Sequence, residues 1–404
     1  MGHAVGGLTF AHVRWQGLAV SATISSFGPP WADATRGSTM SGTDDDAASR
    51  RLARWLAEET ALEGPLEVLG LEAPTGSGYS NETLMFDAVS RHGQRTGLVA
   101  RLHPRGPTLY PPVGLDRQRR ILEILQDCPT VPSPRVVGGS DDPEILGAPF
   151  FIMERLYGRV PADDPPFTVA GWVLELSPEE RSRLYDNGLA ALAALHRLDA
   201  EERGLGFLAY PELGATPIEQ QIAYYRDYYA WAMGDRPSPT IEAGFAWLDE
   251  HRPSESEPVV LSWGDSRLGN MVFGTDLAVL SVLDWDMATL GSPELDLGWW
   301  CFFDRMHTEG IGVPRPDGFP DRDAVIARYE ELSDHEVRHL GFYEPFAAFR
   351  GAVVAHRMFT MRIEAGQLPA DTDLLVTNPA LQLMAALMDL PSPSVKAARY
   401  ITKN

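Results

Sequence analysis

Leu52, Trp55, Leu56 and Leu62 recur at the three-to-four spacing of an amphipathic helix, with Gly64 behind them as a stop. The pattern predicts a helix over residues 47–63. The period then shortens to that of strands over 66–71, 83–89 and 97–103. Arg91-His92-Gly93-Gln94 reads as the turn that pairs the last two as a hairpin. Residues 115–128 return to helical spacing, and 135–138 and 149–154 read as two more strands. Five strands with a helix inserted after the third make a small α+β lobe. Tyr157-Gly158-Arg159-Val160-Pro161 breaks the pattern as a hinge would.

Beyond the hinge the pattern is helical. Ser177-Pro178-Glu179-Glu180 is a capping box with proline at the first helical position. The helix it opens runs to about His196. Further helices are predicted over 217–233, 240–251, 323–333, 335–365 and 378–390. Residues 259–283 are the exception: short apolar strands flank polar loops.

Composition narrows the function. With 34 basic and 56 acidic side chains the net charge is −22, which argues against nucleic acid and against an anionic membrane surface as partners. No run reaches the ~18–20 apolar residues of a membrane span. Two cysteines, Cys128 and Cys301, make neither a disulfide framework nor a zinc cluster, and predict a reducing, cytoplasmic setting. Lysine occurs only at Lys396 and Lys403, so any earlier cationic chemistry belongs to arginine. Residues 1–39 lack a period and are expected to be a disordered extension, with Met40 the more natural start. The expected organisation is an extension over 1–46, a nucleotide-binding lobe over 47–156, and a helical lobe over 157–404 that carries the catalytic, metal and substrate sites.

The candidate chemistry lies in the exceptional stretch. Trp263-Gly264-Asp265-Ser266-Arg267-Leu268-Gly269-Asn270 joins two apolar strands. An Asp followed five residues later by Asn is the catalytic-loop spacing of protein kinases, where the Asp takes the proton of the attacking hydroxyl and the Asn holds magnesium. Arg267 stands where a cation can reach a transferring phosphoryl group. Fourteen residues after Asn270, Asp284 ends another strand in Val282-Leu283-Asp284-Trp285-Asp286 and would be the stronger metal ligand. The alternative is structural: Asp265 and Asn270 shaping a turn, Asp284 capping a helix. In the small lobe, Gly76-Ser77-Gly78-Tyr79-Ser80-Asn81 could bring backbone N–H groups close to phosphates. Arg101, on the following strand, occupies the place of a phosphate-binding cation. Gln118 is its best-placed partner on the next helix, with Glu123 as the alternative.

These residues resemble the aminoglycoside phosphotransferase and choline kinase-like phosphotransferases, and especially actinobacterial proteins assigned as aminoglycoside phosphotransferases and a related acyl-CoA-associated group. The resemblance covers roughly residues 50–390. It rests on Gly78-Tyr79-Ser80-Asn81-Glu82-Thr83, Phe150-Phe151-Ile152-Met153-Glu154-Arg155-Leu156, Leu192-Ala193-Ala194-Leu195-His196, and the two loops ending in Leu295-Asp296-Leu297. It implies an α+β, protein-kinase-like two-lobed fold with a five-stranded antiparallel N-lobe. It implies an ATP-dependent kinase, with GTP left open, that moves a phosphoryl group to a small-molecule hydroxyl. Asp265 would be the base, with Arg267 beside it and Asn270 and Asp284 on Mg2+. Ser77, Gly78, Tyr79, Ser80, Asn81, Arg101 and Gln118 would face the nucleotide phosphates, and the backbone near Glu154 and Leu156 the adenine. His196 is expected to help pack the catalytic loop, and Asp296 to brace that loop or cap a helix.

Three positions depart from the family pattern: Trp263 replaces the usual His, Arg101 the usual Lys and Gln118 the usual Glu. Arginine keeps the charge but is not interchangeable with lysine. Two other readings compete: a catalytically weak or dead kinase fold that only binds nucleotide, and a metal hydrolase built on Asp265, Asp284, Asp286 and Asp296. The acceptor could be an aminoglycoside or an amphipathic hydroxyl compound such as a hydroxyacyl-CoA. Aromatic acceptor walls are expected from 161–172, 224–231 and 299–304.

Overall fold

Five antiparallel strands form the N-lobe sheet, as the strand-like segments predict; numbered β1 to β5 along the chain, they lie in the order β1-β2-β3-β5-β4. The computed structural model describes residues 42–73, 81–111, 114–234, 236–254 and 257–393, leaving out the side chains of 42–45. The glycine-rich loop with Ser77, Gly78, Tyr79 and Ser80, and the N-terminal extension, lie outside these residues. The strands are β1 (Leu66–Glu72), β2 (Glu82–Ser90), β3 (Arg95–Leu102), β4 (Val136–Ser140) and β5 (Phe150–Glu154). Helix α1 (Gly42–Glu59) begins five residues before the expected start and ends four before the expected stop. Thr60 sets that end: its hydroxyl donates to the Leu56 carbonyl at 2.5 Å and accepts from the Leu62 N–H at 3.2 Å. Leu52 and Leu56 of α1 pack with Phe86, Leu98, Ala100 and Ile152 of the sheet as one apolar cluster.

Helix α2 (Leu115–Leu125) follows β3, as expected. Its buried Ile121, Leu122 and Leu125 belong to the larger cluster that fills the C-lobe. Arg117 fastens it there by donating to the carbonyls of Leu208 (2.9 Å) and Ala288 (3.2 Å). The element that follows the third strand is thus docked on both lobes. A short α3 (Pro143–Leu146) precedes β5, and α4 (Trp172–Glu175) follows the hinge.

The C-lobe comprises α5 (Pro178–His196), α6 (Pro217–Met233), α7 (Pro239–His251), α8 (Pro293–Met306), α9 (Arg322–Ser333), α10 (Leu340–Glu364), α11 (Leu374–Thr377) and α12 (Pro379–Leu387). The capping box at Ser177 and Glu180 is formed. Helix α8 was not among the expected helices. Leu295, Leu297, Trp299, Trp300, Cys301 and Phe302 are all buried, so no polar face marks its period. Helix α10 starts five residues later than the pattern predicts. Buried Glu294 holds the preceding segment instead, accepting from His335 Nε2 and the Arg338 N–H, each at 3.0 Å.

Two small ribbons carry the exceptional stretch. β6 (Val260–Ser262) pairs with β9 (Thr289–Gly291), and β7 (Met271–Phe273) pairs with β8 (Val279–Val282). Both cysteines are free and buried. Among the described residues no helix is long and apolar enough to cross a membrane.

Candidate active site

The loop between β6 and β7 is held from beneath by Asp296, in the first turn of α8. Its two oxygens accept from the Trp263 and Gly264 N–H groups, each at 2.7 Å, and His196 Nε2 contacts the same carboxylate at 3.0 Å. Its backbone carbonyl accepts from the Ser266 hydroxyl at 2.7 Å. Burial alone would raise the Asp296 pKa, but His196 and the two N–H groups outweigh it and hold the carboxyl below its ordinary value. Asp296 thus braces the loop, one of the two roles expected of it, and His196 backs Asp296, with the Tyr329 hydroxyl 2.6 Å from the far side of its ring. Gly264 turns the chain at φ 90°, and a Cβ there would collide with the Met287 backbone. Asp296→Asn would turn an N–H donor toward a loop donor, at a stability cost of about 1–3 kcal/mol. Urea unfolding measures it, and an unchanged midpoint would contradict the brace.

Asp265 emerges from this turn 7% exposed. Its Oδ1 accepts from Arg267 Nε at 2.9 Å and from the indole N–H of Trp299 at 2.7 Å. Its Oδ2 accepts from the Asn270 amide at 2.6 Å. A carboxylate has about four lone-pair positions. Oδ1 is therefore filled, and Oδ2 keeps one free for an incoming hydroxyl. The Asn270 amide nitrogen also donates to the Asp265 carbonyl at 3.0 Å, which turns its amide oxygen the other way. The Asn270 carbonyl accepts from the Leu283 N–H at 2.8 Å, tying this loop to the next.

That next loop carries Asp284 at φ 60°, a left-handed conformation uncommon for a residue with a Cβ. Trp263 supports it. Its indole N–H donates to the carbonyls of Leu283 (2.8 Å) and Asp284 (3.0 Å), so the residue that replaces the expected His still provides a donor. Burial and the nearby Asp286 and Asp265 carboxylates push the Asp284 pKa up to about 7, while Arg101 and Arg267 pull it down. Uncompensated negative charge of this kind suits a cation. Among the described residues no three His, Cys, Asp or Glu side chains are grouped to enclose a metal.

The remaining candidates divide. Arg101 donates to the Thr83 hydroxyl on the neighbouring strand at 2.9 Å. Gln118 does not steer Arg101 as the sequence suggests; its amide donates to Asp286. Asn81 donates to the same carboxylate at 3.0 and 3.3 Å. Glu154 ends β5, where its N–H donates to the Arg135 carbonyl at 2.9 Å, and the Arg155 N–H donates to the Gly97 carbonyl at 2.9 Å. Leu156 follows directly, at the entry to the hinge. The Arg267 guanidinium bridges Asp265 and Asp163. Burial works against its charge, but the two carboxylates outweigh that and hold its pKa above the ordinary value.

From the sequence, Trp299 and Asp163 were placed only within expected acceptor walls and Asp286 only in the metal-hydrolase reading; their contacts to Asp265, Arg267 and the two amides were not foreseen. Trp299 lies three residues after Asp296, so helical spacing would have put both on one face. Of the segments expected as acceptor walls, Phe303 is half-buried and lies 5.0 Å from the Arg267 guanidinium, whereas Trp299 is buried beside Asp265. Phe167 stacks edge-on against His307 at 5.3 Å. Phe167, Tyr225 and Tyr228 are buried core. Asp304 is taken up by Arg315.

The family model described as a phosphotransferase enzyme family matches residues 73–336. Acyl-CoA dehydrogenase family member 10 of Mus musculus is 28% identical over 312 residues, 74% of this chain but 27% of its own length. The chain spans between 27% and 41% of the first curated relatives it matches. A candidate aminoglycoside phosphotransferase of Ralstonia eutropha has a similar structure, with a TM-score of 0.65 and 25% identity, covering 84% of this chain and 98% of that one. Aminoglycoside phosphotransferase APH(4)-Ia, in its ternary complex with AMP-PNP and hygromycin B, shares the fold at a TM-score of 0.52 and 14% identity, covering 84% of this chain and 98% of that one. The match takes in strands β2 to β5, the β6–β7 loop and the Asp284 loop together, and the chain therefore belongs to the phosphotransferase enzyme family, on a protein-kinase-like fold.

Proposed function

We propose that the protein is an ATP-dependent small-molecule kinase that transfers the γ-phosphoryl group to a substrate hydroxyl. The observation that carries this reading is Asp265, whose Oδ1 is saturated by Trp299 and Arg267 while Oδ2 keeps room for one more hydrogen bond. The acceptor hydroxyl donates to Oδ2. As its oxygen bonds the γ-phosphorus, the bond to the β–γ bridging oxygen breaks, the proton passes to Asp265 and ADP leaves. Asn270, through its amide oxygen, and Asp284 are the residues that would hold magnesium. Bound there, the metal would offset charge on the nucleotide phosphates. Arg101 and Arg267 add fixed positive charge, and the backbone near Glu154 and Leu156 is the proposed adenine rest. Asn81 and Gln118, both donors to Asp286, belong to the proposed nucleotide side of the site.

The acceptor we favour is an amphipathic hydroxyl compound, such as a hydroxyacyl-CoA, over a polycationic aminoglycoside. Half-buried Phe303, beside the Arg267 guanidinium, offers apolar surface, whereas Asp163 and Asp304 are already paired with Arg267 and Arg315. Each desolvated ammonium of an aminoglycoside would need its own carboxylate. The names of the curated relatives point toward acyl-CoA chemistry as well. A panel of hydroxyacyl-CoA esters, amino alcohols, macrolides and aminoglycosides, scored by ADP release and by mass gain of one phosphoryl group, tests the assignment. Efficient turnover of kanamycin-type compounds with none on any apolar-tailed alcohol would overturn the acceptor class. Nucleotide binding without any product would favour a non-catalytic binder.

Arg101→Ala should raise the nucleotide KM strongly, and Arg101→Lys should keep part of the activity, because residue 101 works by its charge. A normal nucleotide KM in the Ala variant would move the phosphate clamp to Arg267.

A further inference from the structure

Asp286 takes its hydrogen bonds from the opposite lobe. Asn81 stands ahead of β2 and Gln118 in the first turns of α2, 205 and 168 residues away in sequence. Both are almost inaccessible, at 7% and 5% exposed. Buried amide donors are costly without acceptors, so this carboxylate and these two amides depend on one another. The same α2 reaches the same segment through Arg117, which donates to the Ala288 carbonyl at 3.2 Å. Arg101 takes no part, being turned to Thr83. The link from α2 to the site therefore runs to the metal loop, where the family pattern would run it to the β3 cation.

We propose that Asn81 and Gln118 are positioning residues that act through Asp286, a neutral clasp that seats the metal loop against the N-lobe and so aims Asp284. The inference rests on the phosphotransfer reading for its functional consequence. Neutral donors are the point of the design: an amide orients a carboxylate without cancelling its charge. The Asp286 N–H in turn contacts Asp284 Oδ1 at 3.4 Å, so the orientation of one residue bears on the other.

The test is a charge swap. Gln118→Glu sets two carboxylates against each other, and Asp286→Asn turns amide donors toward amide donors. In the double variant, the amide introduced at position 286 can accept from Asn81 and donate to the carboxylate introduced at position 118. The clasp then reforms with its polarity reversed. Each single variant should lower the Tm of the nucleotide-free protein and weaken magnesium–ATP binding tenfold or more, raising the KM for nucleotide more than that for acceptor. The double variant should recover both Tm and affinity. Simple addition of the two Tm losses would overturn the clasp. Recovery of Tm without recovery of affinity would overturn the positioning role and make Asp286 a ligand by its charge. If Gln118→Glu does not fold, Gln118→Ala with Asp286→Ala forms a second cycle, read by the same Tm coupling. Asp265→Asn assayed alongside separates the two readings: full turnover there would sink the chemistry while leaving the Tm coupling to decide the clasp.

Discussion

Asp265→Asn is expected to lower turnover by roughly 10²–10⁴, the usual worth of a positioned base, with nucleotide affinity nearly unchanged. The variant keeps the shape of the side chain but loses the negative charge and one acceptor oxygen. Either amide orientation also places N–H against donors already present: Arg267 and Trp299 on one side, Asn270 on the other. Initial rates at saturating nucleotide and acceptor measure the loss, and calorimetric titration with ATP and magnesium measures affinity. Wild-type phosphotransfer by the Asn variant would dismiss Asp265 as base. A parallel collapse of nucleotide affinity would instead make it part of the binding site.

Asp284→Ala is expected to abolish magnesium-dependent nucleotide binding, and more severely than Asn270→Ala. A carboxylate brings full charge to a hard cation and an amide only a dipole. Magnesium titrations of the two variants at fixed ATP compare them directly, and equal or reversed losses would contradict the assignment. The nucleotide-free protein should respond in the opposite direction. The Asp284 pKa is about 7 in the folded protein against an ordinary 3.8, so the fold favours its neutral form. Its contribution to stability is therefore greatest below pH 4 and is lost as pH rises toward about 7. Asp284→Asn should raise the Tm at pH 8, with the gain shrinking toward pH 4. A lower Tm at pH 8 would mean that Asp284 makes stabilising contacts that outweigh its desolvation.

How much of this was written in the sequence depends on the range of each contact. Asp265, Asn270 and Asp284 were legible because a polar run between two apolar strands is conspicuous, and the spacing of five is set by one short loop. The brace from His196 and Asp296 could be named only through family resemblance, since the two lie 100 residues apart. Helix α8 stayed hidden because it is apolar on nearly every side, so a buried environment erased the period that betrays surface helices. The start of α10 was misplaced for a related reason: Glu294 recruits His335 and Arg338 from 41 and 44 residues away, and local propensity carries no trace of that. Gln118 was assigned to Arg101 on the logic of a charged pair. A neutral amide has no such obligation, and here it serves an acid on another lobe.

Arginine at position 101 also decides how this protein can be found. Chemical surveys of nucleotide sites commonly use ATP analogues with an activated acyl group, which transfers to the amine of a nearby lysine. A guanidinium is protonated at any ordinary pH and is a poor nucleophile. The first lysine in the chain is Lys396, far along from the β3 cation. Position 101 therefore offers no amine to such a probe even when the nucleotide is bound tightly, and a kinase inventory that counts labelling at the β3 cation would pass this one over.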